Sequence, residues 1–558
     1  MKRVILLLAV SISSSVAQSV YTNPSSIRFD TTITTITDSA AVWIVNTTAK
    51  GVYVYDINIY GEAFSVKDTA FFIPSNDSVR TWIFFASIHN LTYNDFAFIE
   101  TNLQSGSLVV PLTGTKKYAE AVYAPTQGLS GEPLKSALKT IAQQGHTTLG
   151  YTTARDRMYG NIDSNNGVDS IECVYTGRKA KFNTRAGATN NNFNAEHTWP
   201  QSKFGSVDPM QSDLHHLFSV DETANSTRSN YPFGKVVSNV TWSVGGSRLG
   251  LGYGGYTVFE PRDAHKGDAA RAMFYFIIRH GNYGSFWTAS PYQETVFREW
   301  NKNFRPTQKS KNRNSAIALY QGNRNPFVDH PEFVERINNF AGTATVVTSA
   351  QLVASPTVLS FGDIFSVNNP NKKLTLANVG NKALTITSIA FTNSSYVLAD
   401  TISFLDAKSY RVVTVTSNAL PSGDTTGTMT ITYNDGGNKQ LIIELSGYVV
   451  TSVKNQPQQP EQFILHQNYP NPFNPTTTIQ YSVGTDAHPS NNNTHGRALT
   501  TLKIYDVLGR EVATLVNEVK EAGNYSVQWN ASKFSSGIYY ARLQSGEQVQ
   551  MKKMLLLR

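Results

Sequence analysis

The chain has 558 residues, a formal charge of +8, 40% hydrophobic and 16% charged residues, and one cysteine. That length is too great for one core and suggests three or four folded units, while the composition excludes a disordered chain. A single cysteine, Cys173, excludes an intramolecular disulfide, and so mild a positive bias does not by itself indicate a polyanionic partner.

The first segment reads as a signal peptide over residues 1–17. Lys2 and Arg3 precede the apolar run Val4 to Val10, and Ser15-Val16-Ala17 places small residues before a cleavage point at Gln18. No later apolar run has the length of a membrane span, so export to a secreted or cell-surface location is expected. Residues 18–117 alternate as strands do, in Ala41-Val42-Trp43-Ile44-Val45 and Ser107-Leu108-Val109-Val110, which predicts a β-sandwich. Residues 351–450 repeat that design. Phe29 matches Phe361, Asn46 matches Asn378, Ile57 matches Ile389 and Phe64 matches Tyr396, each pair offset by 332 residues. Two all-β, immunoglobulin-like sandwiches are therefore expected to flank a different domain. They resemble the Ig-like modules that accompany secreted bacterial enzymes, with a spacer or binding role.

Residues 118–345 form the α+β part of this multidomain chain. Helical periodicity runs through Leu134 to Ile141 and through Ala269 to Ile278, the latter after an expected turn at His265-Lys266-Gly267-Asp268. Further on, Arg298, Lys302, Arg305, Lys309, Lys311, Arg313 and Arg324 face the single acid Glu299. A solvated basic surface is the default reading. Lys203, Lys302, Arg305, Arg313 and Arg324 are the candidates for tracking phosphates. Residues 451–462 read as a polar linker, and residues 463–558 as a third set of short strands with a polar insertion from Asp486 to Arg497.

The chemistry-bearing residues lie in two stretches, Asn194-Ala195-Glu196-His197-Thr198-Trp199-Pro200-Gln201-Ser202 and Ser212 to Asn230. Leu214 to Val220 is predicted as a strand, Asp221 as an N-cap, and Glu222 to Arg228 as a short helix, giving strand, loop, strand, helix. Phosphodiester hydrolysis needs a base for water and a charge clamp for the phosphate. A neutral imidazole suits the first task near pH 7, and a hard cation on oxygen ligands suits the second. Glu196 offers a carboxylate ligand, Asn225 a carbonyl ligand, and His197 the base. On a straight strand residues 196 and 197 face opposite sides. Sharing one site then requires an irregular backbone or a metal at the strand's edge.

Glu196-His197-Thr198-Trp199-Pro200-Gln201-Ser202, Ser212 to Phe218 and Asn225 to Gly234 resemble the bacterial endonuclease I family, within the ββα-metal or His-Me finger nucleases. Gly267 to Tyr275 and Gln321 to Phe327 extend the resemblance in order over most of residues 120–335. It implies His197 as general base, one Mg²⁺ on Glu196 and Asn225 (Ca²⁺ or Mn²⁺ being alternatives), and non-specific cleavage of DNA, often also RNA, leaving 5′-phosphate ends. Some members place a phosphate-binding arginine between the His and Asn motifs. Here that interval holds Lys203 and no arginine before Arg228, so Arg228 or a distant residue takes the role. Gln211 stands where some relatives have an acid.

The remaining histidines read as structural. For His215 and His216, of which one faces in on a strand, a core role is the first reading and metal binding by either the second. Trp199 and Phe218 read as core. Asp213 reads as orienting a loop or a histidine. Asn468 to Pro475, Leu502 to Arg510 and Ser536 to Tyr540, followed by Lys552-Lys553, resemble the sorting domain of type IX secretion cargo. That resemblance implies a Gram-negative source, the type IX machinery as partner, and removal of the tail during export. The expectation is a secreted, monomeric, Mg²⁺-dependent endonuclease. Its rival is a surface adhesion or matrix-binding protein with a degenerate nuclease domain.

Overall fold

The computed structural model describes residues 20–102, 106–365, 370–418, 423–450, 463–483, 497–521, 523–546 and 548–557. The expected signal peptide, the linker 451–462 and the polar insertion up to residue 496 lie outside the described residues. The chain divides into two compact units, one ending at Thr451 and the other beginning at Ser452.

In the first unit, two sandwiches of equal design flank a mixed domain. Each pairs a four-stranded sheet with a six-stranded one, in matching strand order. The duplication extends to register. Val20 lies opposite Asn46 in the first copy and Leu352 opposite Asn378 in the second, each shifted by 332. The Asn46 side-chain amide donates to Lys50 O and Pro74 O, both at 2.8 Å. Asn378 donates to the matching carbonyls of Lys382 at 2.8 Å and Asp406 at 3.1 Å. The copies meet through Phe96 and Phe98 of the first and Val353, Ala377 and Val379 of the second. Beside this apolar contact, Ser355 Oγ donates to Glu100 at 2.7 Å.

The middle domain is built around the helix Asp263–Arg279, which is buried along almost its whole length. This helix starts earlier than periodicity predicted and absorbs the expected turn at 265–268. Gly267 is there for contact: a Cβ at that position would lie 2.1 Å from the Phe304 carbonyl oxygen. Close approach selects glycine as firmly as a turn does.

The strand–loop–strand–helix order appears as Phe193–His197, Leu217–Asp221 and Glu222–Arg228. The two strands pair antiparallel with Glu196 opposite Phe218 and His197 opposite Leu217. Asp221 caps the helix as predicted, its side chain accepting from Thr223 N at 3.0 Å and Ala224 N at 3.2 Å. The second strand is shorter than expected. Leu214–His216 forms a 3₁₀ turn, because the Asp213 carboxylate accepts from His215 N and draws the chain tight.

The second unit packs a three-stranded sheet and a four-stranded sheet around Phe473, Ile479, Leu502, Trp529 and Leu543. Its hairpin turn falls at Leu508-Gly509-Arg510 as expected, where Asp506 accepts from Leu508 N at 2.9 Å and Arg510 N at 3.0 Å. Among the described residues no helix is long and apolar enough to cross a membrane.

Candidate active site

The hairpin pairing is regular, so Glu196 and His197 leave the strand Phe193–His197 on opposite faces. What joins them is the strand's outer edge. The carbonyls of Ala195 and His197 point away from the partner strand, and the helix Glu222–Arg228 meets them. Asn225 Nδ2 lies 3.5 Å from Ala195 O and donates to Asn194 Oδ1 at 2.8 Å, while Arg228 Nη1 reaches His197 O at 3.3 Å. Asn225, the Glu196 carboxylate through Arg228, and the backbone of His197 therefore meet along one strand edge with no register shift in the hairpin.

Glu196 is almost fully buried. Its Oε1 accepts from the Tyr175 hydroxyl at 2.6 Å and faces Arg228 Nη1 at 3.3 Å. Burial raises the carboxyl's pKa, against the opposing pull of Arg228 and Tyr175. No hydrogen bond among the described residues reaches Glu196 Oε2 or Asn225 Oδ1. These two oxygens remain uncommitted.

His197 is held at both ring nitrogens. Nε2 lies 2.9 Å from Gln211 O, a group that only accepts, so this nitrogen carries the proton. Nδ1 then holds the lone pair, and the Gln201 side-chain amide donates to it at 2.8 Å. Burial, with the nearby His216, Arg228 and Arg155, drops the imidazole's pKa to about 3. The ring is thus neutral, in one tautomer, with its basic nitrogen turned toward Gln201.

Arg228 is committed elsewhere. Its guanidinium is buried, donates to His197 O, to Thr198 O at 2.6 Å and to Ser229 O at 3.2 Å, and lies over the Phe233 ring. Arg313 binds Asp163 and the Leu214 and Leu217 carbonyls. Arg324 is paired with Asp329 at 2.6 Å, and Arg305 with Glu335 at 3.3 Å. Lys302 is exposed on the helix Gln293–Asn303. Lys203 sits two residues past Gln201, its stem against Gly284. The structure thus brings Glu196, His197, Asn225 and Arg228 together, sets Lys203 on the adjoining turn, and disperses most of the basic cluster into ion pairs.

The other sequence motifs converge on Asp213. It accepts from Tyr275 at 2.9 Å, Arg279 at 2.5 Å, His280 at 3.0 Å and Gln321 at 2.8 Å. Burial alone would raise this carboxyl, but Arg279 and His280 outweigh it and hold it well below the carboxylate range. His215 Nε2 faces Asn323 O at 3.0 Å and His216 Nε2 faces Met210 O. This network is scaffold behind the hairpin. Among the side chains that touch the candidate residues, Tyr175 and Gln201 were assigned no role by the sequence reading. Gln201 stood inside a motif. Tyr175, on a separate loop, had no local signal.

A hairpin and capped helix that gather a carboxylate, a neutral histidine and an amide at one edge define a nuclease of the ββα type. The family described as Endonuclease I matches residues 130–332. An extracellular ribonuclease of Bacillus amyloliquefaciens is 32% identical over 251 residues, covering 42% of this chain and 82% of that protein. An extracellular ribonuclease of Bacillus subtilis (strain 168) is 30% identical over 253 residues, covering 42% and 84%. A periplasmic deoxyribonuclease of Aeromonas hydrophila is 25% identical over 127 residues, covering 23% and 51%. The chain belongs to the endonuclease I family of phosphodiester hydrolases. Residues 467–557 match a secretion system C-terminal sorting domain, and residues 350–448 a HYDIN/CFA65/VesB-like, Ig-like domain, so this is a secreted or cell-surface nuclease.

Proposed function

We propose that this nuclease is Mg²⁺-dependent, cleaves both RNA and DNA without sequence preference, and uses His197 as general base. The observation that carries the reading is His197 itself, a neutral imidazole whose proton is fixed on Nε2 by Gln211 O. Its Nδ1 lone pair is free to accept a proton once water takes the place of the Gln201 amide. That water attacks phosphorus, its proton passes to Nδ1, and the bond to the 3′ oxygen breaks; that oxygen takes a proton from solvent, leaving a 3′-hydroxyl and a 5′-phosphate end.

Glu196 and Asn225 are the proposed ligands. Their uncommitted Oε2 and Oδ1 suit a hard cation, which prefers oxygen and keeps several waters. Among the described residues no group of three or more His, Cys, Asp or Glu side chains is gathered for a metal. One carboxylate, one amide oxygen, water and phosphate would then complete the shell. A bound Mg²⁺ supplies charge neutralisation at the phosphate and the leaving oxygen.

These groups address only phosphate and water, which supports indifference to base and sugar. The long matches to two ribonucleases support RNA as a substrate, and the shorter match to a deoxyribonuclease supports DNA. Residues 467–557 support export by the type IX route of a Gram-negative bacterium. Plasmid DNA and a long RNA, each incubated with Mg²⁺, should both be degraded, and EDTA or His197→Ala should stop it. Wild-type protein inert toward both polymers under Mg²⁺, Ca²⁺ and Mn²⁺ would overturn the enzyme reading in favour of an adhesion protein.

A further inference from the structure

We propose that Arg155 is the residue that grips the reacting phosphate beside His197. The inference rests on the reading of His197 as base. Arg155 lies on the helix Tyr151–Arg157, and its guanidinium stacks over the Tyr151 ring, 4.2 Å from the centroid. The Tyr151 ring lies in turn 5.4 Å from the His197 ring, centroid to centroid. Guanidinium, phenol and imidazole thus form a contiguous row, with the Tyr151 and His197 rings tilted 40° to each other, on the face of the hairpin that carries the base.

Arg155 differs from Arg228, Arg313 and Arg324 in having no carboxylate partner among the described residues, although Arg228 also keeps a buried Nε without a hydrogen bond. The Arg155 Nε is buried without a hydrogen-bond partner. Its neighbours on the chain are occupied: Asp156 binds Arg185 at 2.7 Å, and Arg157 stacks on Tyr320. Arg228, Arg313 and Arg324 are each held by a carboxylate. A buried, unpartnered guanidinium nitrogen is costly unless a ligand supplies the acceptor. A phosphodiester offers two non-bridging oxygens that match the planar fork of arginine, and the Tyr151 face fixes that fork's plane.

Arg155 is partly exposed, so a substrate reaches it without unfolding the site. Its positive charge is also felt at His197, where it helps keep the imidazole neutral. Its part in the reaction is electrostatic. As water attacks, negative charge grows on the non-bridging oxygens, and Arg155 donates hydrogen bonds to them while transferring no proton. It fills the role for which Arg228 is poorly placed, because its Nη atoms are engaged by Glu196 and the carbonyls of His197, Thr198 and Ser229.

The test compares Arg155→Ala, Arg155→Lys and His197→Ala in the full chain, with Mg²⁺ and RNA or DNA. Arg155→Ala should lower kcat about 100-fold, the usual effect of losing one charge-stabilising donor. It should also flatten the slope of log kcat/KM against log salt by about one unit. Arg155→Lys should restore the slope but only part of kcat, because it keeps the charge and loses the fork. Should Arg155→Ala fold poorly, Arg155→Gln provides the same comparison with the side-chain stem retained. A variant that melts as wild type does, keeps its kcat and keeps its salt slope, while His197→Ala is inactive, overturns Arg155 and leaves the base intact. An active His197→Ala removes the base reading and this inference together.

Discussion

Arg228 and Glu196 close a buried ion pair at the edge of the hairpin, Nη1 to Oε1 at 3.3 Å. The same guanidinium takes the carbonyls of His197 and Thr198, so one side chain fixes the carboxylate and the backbone that carries the histidine. Removing one partner of such a pair strands the other as an uncompensated buried charge, which costs about 3–5 kcal/mol. Arg228→Ala should lower the unfolding free energy by that order. Added Mg²⁺ should recover part of it if the cation rests on Glu196, since binding to the folded state stabilises it. Thermal unfolding with and without Mg²⁺ reads both effects. An unchanged midpoint would show that Arg228 is no strut.

Asn225 would offer the proposed cation a neutral oxygen, its amide nitrogen being spent on Asn194 at 2.8 Å. Asn225→Ala should therefore raise the Mg²⁺ concentration needed for half-maximal rate by tenfold or more, roughly the lower end of the effect of losing one partner at a metal site. Maximal rate at saturating Mg²⁺ should fall less. A rate titration in Mg²⁺ separates the two quantities, and wild-type behaviour at low Mg²⁺ would remove Asn225 from the ligand set.

Gln201 controls the electrostatics at Nδ1 of His197, which it meets at 2.8 Å. Burial keeps that imidazole neutral down to about pH 3. Gln201→Glu places a carboxylate where the amide was and so favours the imidazolium. The histidine's pKa should rise, and the base should be protonated at pH values where it is now neutral. The acid limb of the kcat/KM profile should therefore move to higher pH, with the rate above the new pKa affected least. A profile that superimposes on the wild-type one would mean that residue 201 does not set the electrostatics at Nδ1.

How far the sequence revealed this arrangement depended on the range of each contact. The hairpin and its helix were legible because Asp221, an N-cap, is followed at once by a helical turn. Glu196, His197 and Asn225 were legible as a motif. Their relation to the strand edge was not, because it depends on which carbonyls of Ala195 and His197 face outward. Gly267 misled because glycine marks both turns and close contacts, and only the Phe304 carbonyl, far along the chain, distinguishes them. Arg155 and Tyr151 lie more than forty residues before His197, outside every motif. Asn46 and Asn378 stood out as a matched pair, but their shared task needed the opposing carbonyls.

Acid should unfold the nuclease domain through its buried histidines. His215, His216 and His265 are each brought down to about 4 by burial. Unfolded histidine titrates near 6.5, so between that pH and about 4 the unfolded chain binds more protons than the folded one. Stability from these groups is complete above 6.5 and falls as the pH drops through that window, by up to about 1.4 kcal/mol per unit for each histidine. Asp213 acts lower. Its depressed carboxyl contributes stability above the unfolded value near 3.9, lost only as the pH falls toward its folded pKa. Chemical denaturation at pH 7.5, 6, 5 and 4.5 should show a steepening loss. A flat curve across that range would exclude the buried neutral histidines as its cause.

The two sandwiches provide an internal control, since Asn46 and Asn378 do one job in two places. Each side-chain amide donates to a nearby backbone carbonyl and to a second one across the sheet edge. Both residues are fully buried, so truncation removes the donors that hold these carbonyls in place. Asn46→Ala and Asn378→Ala should each cost roughly 1–3 kcal/mol. Asn→Asp at either site should cost more, because a carboxylate would face carbonyl oxygens it cannot donate to. The losses should differ little between the copies, and neither variant should change kcat, because both residues lie outside the domain that holds His197. Limited proteolysis at rising temperature, read together with the nuclease assay, distinguishes this from a coupled response. Loss of activity in step with either sandwich would mean that the modules support the catalytic domain.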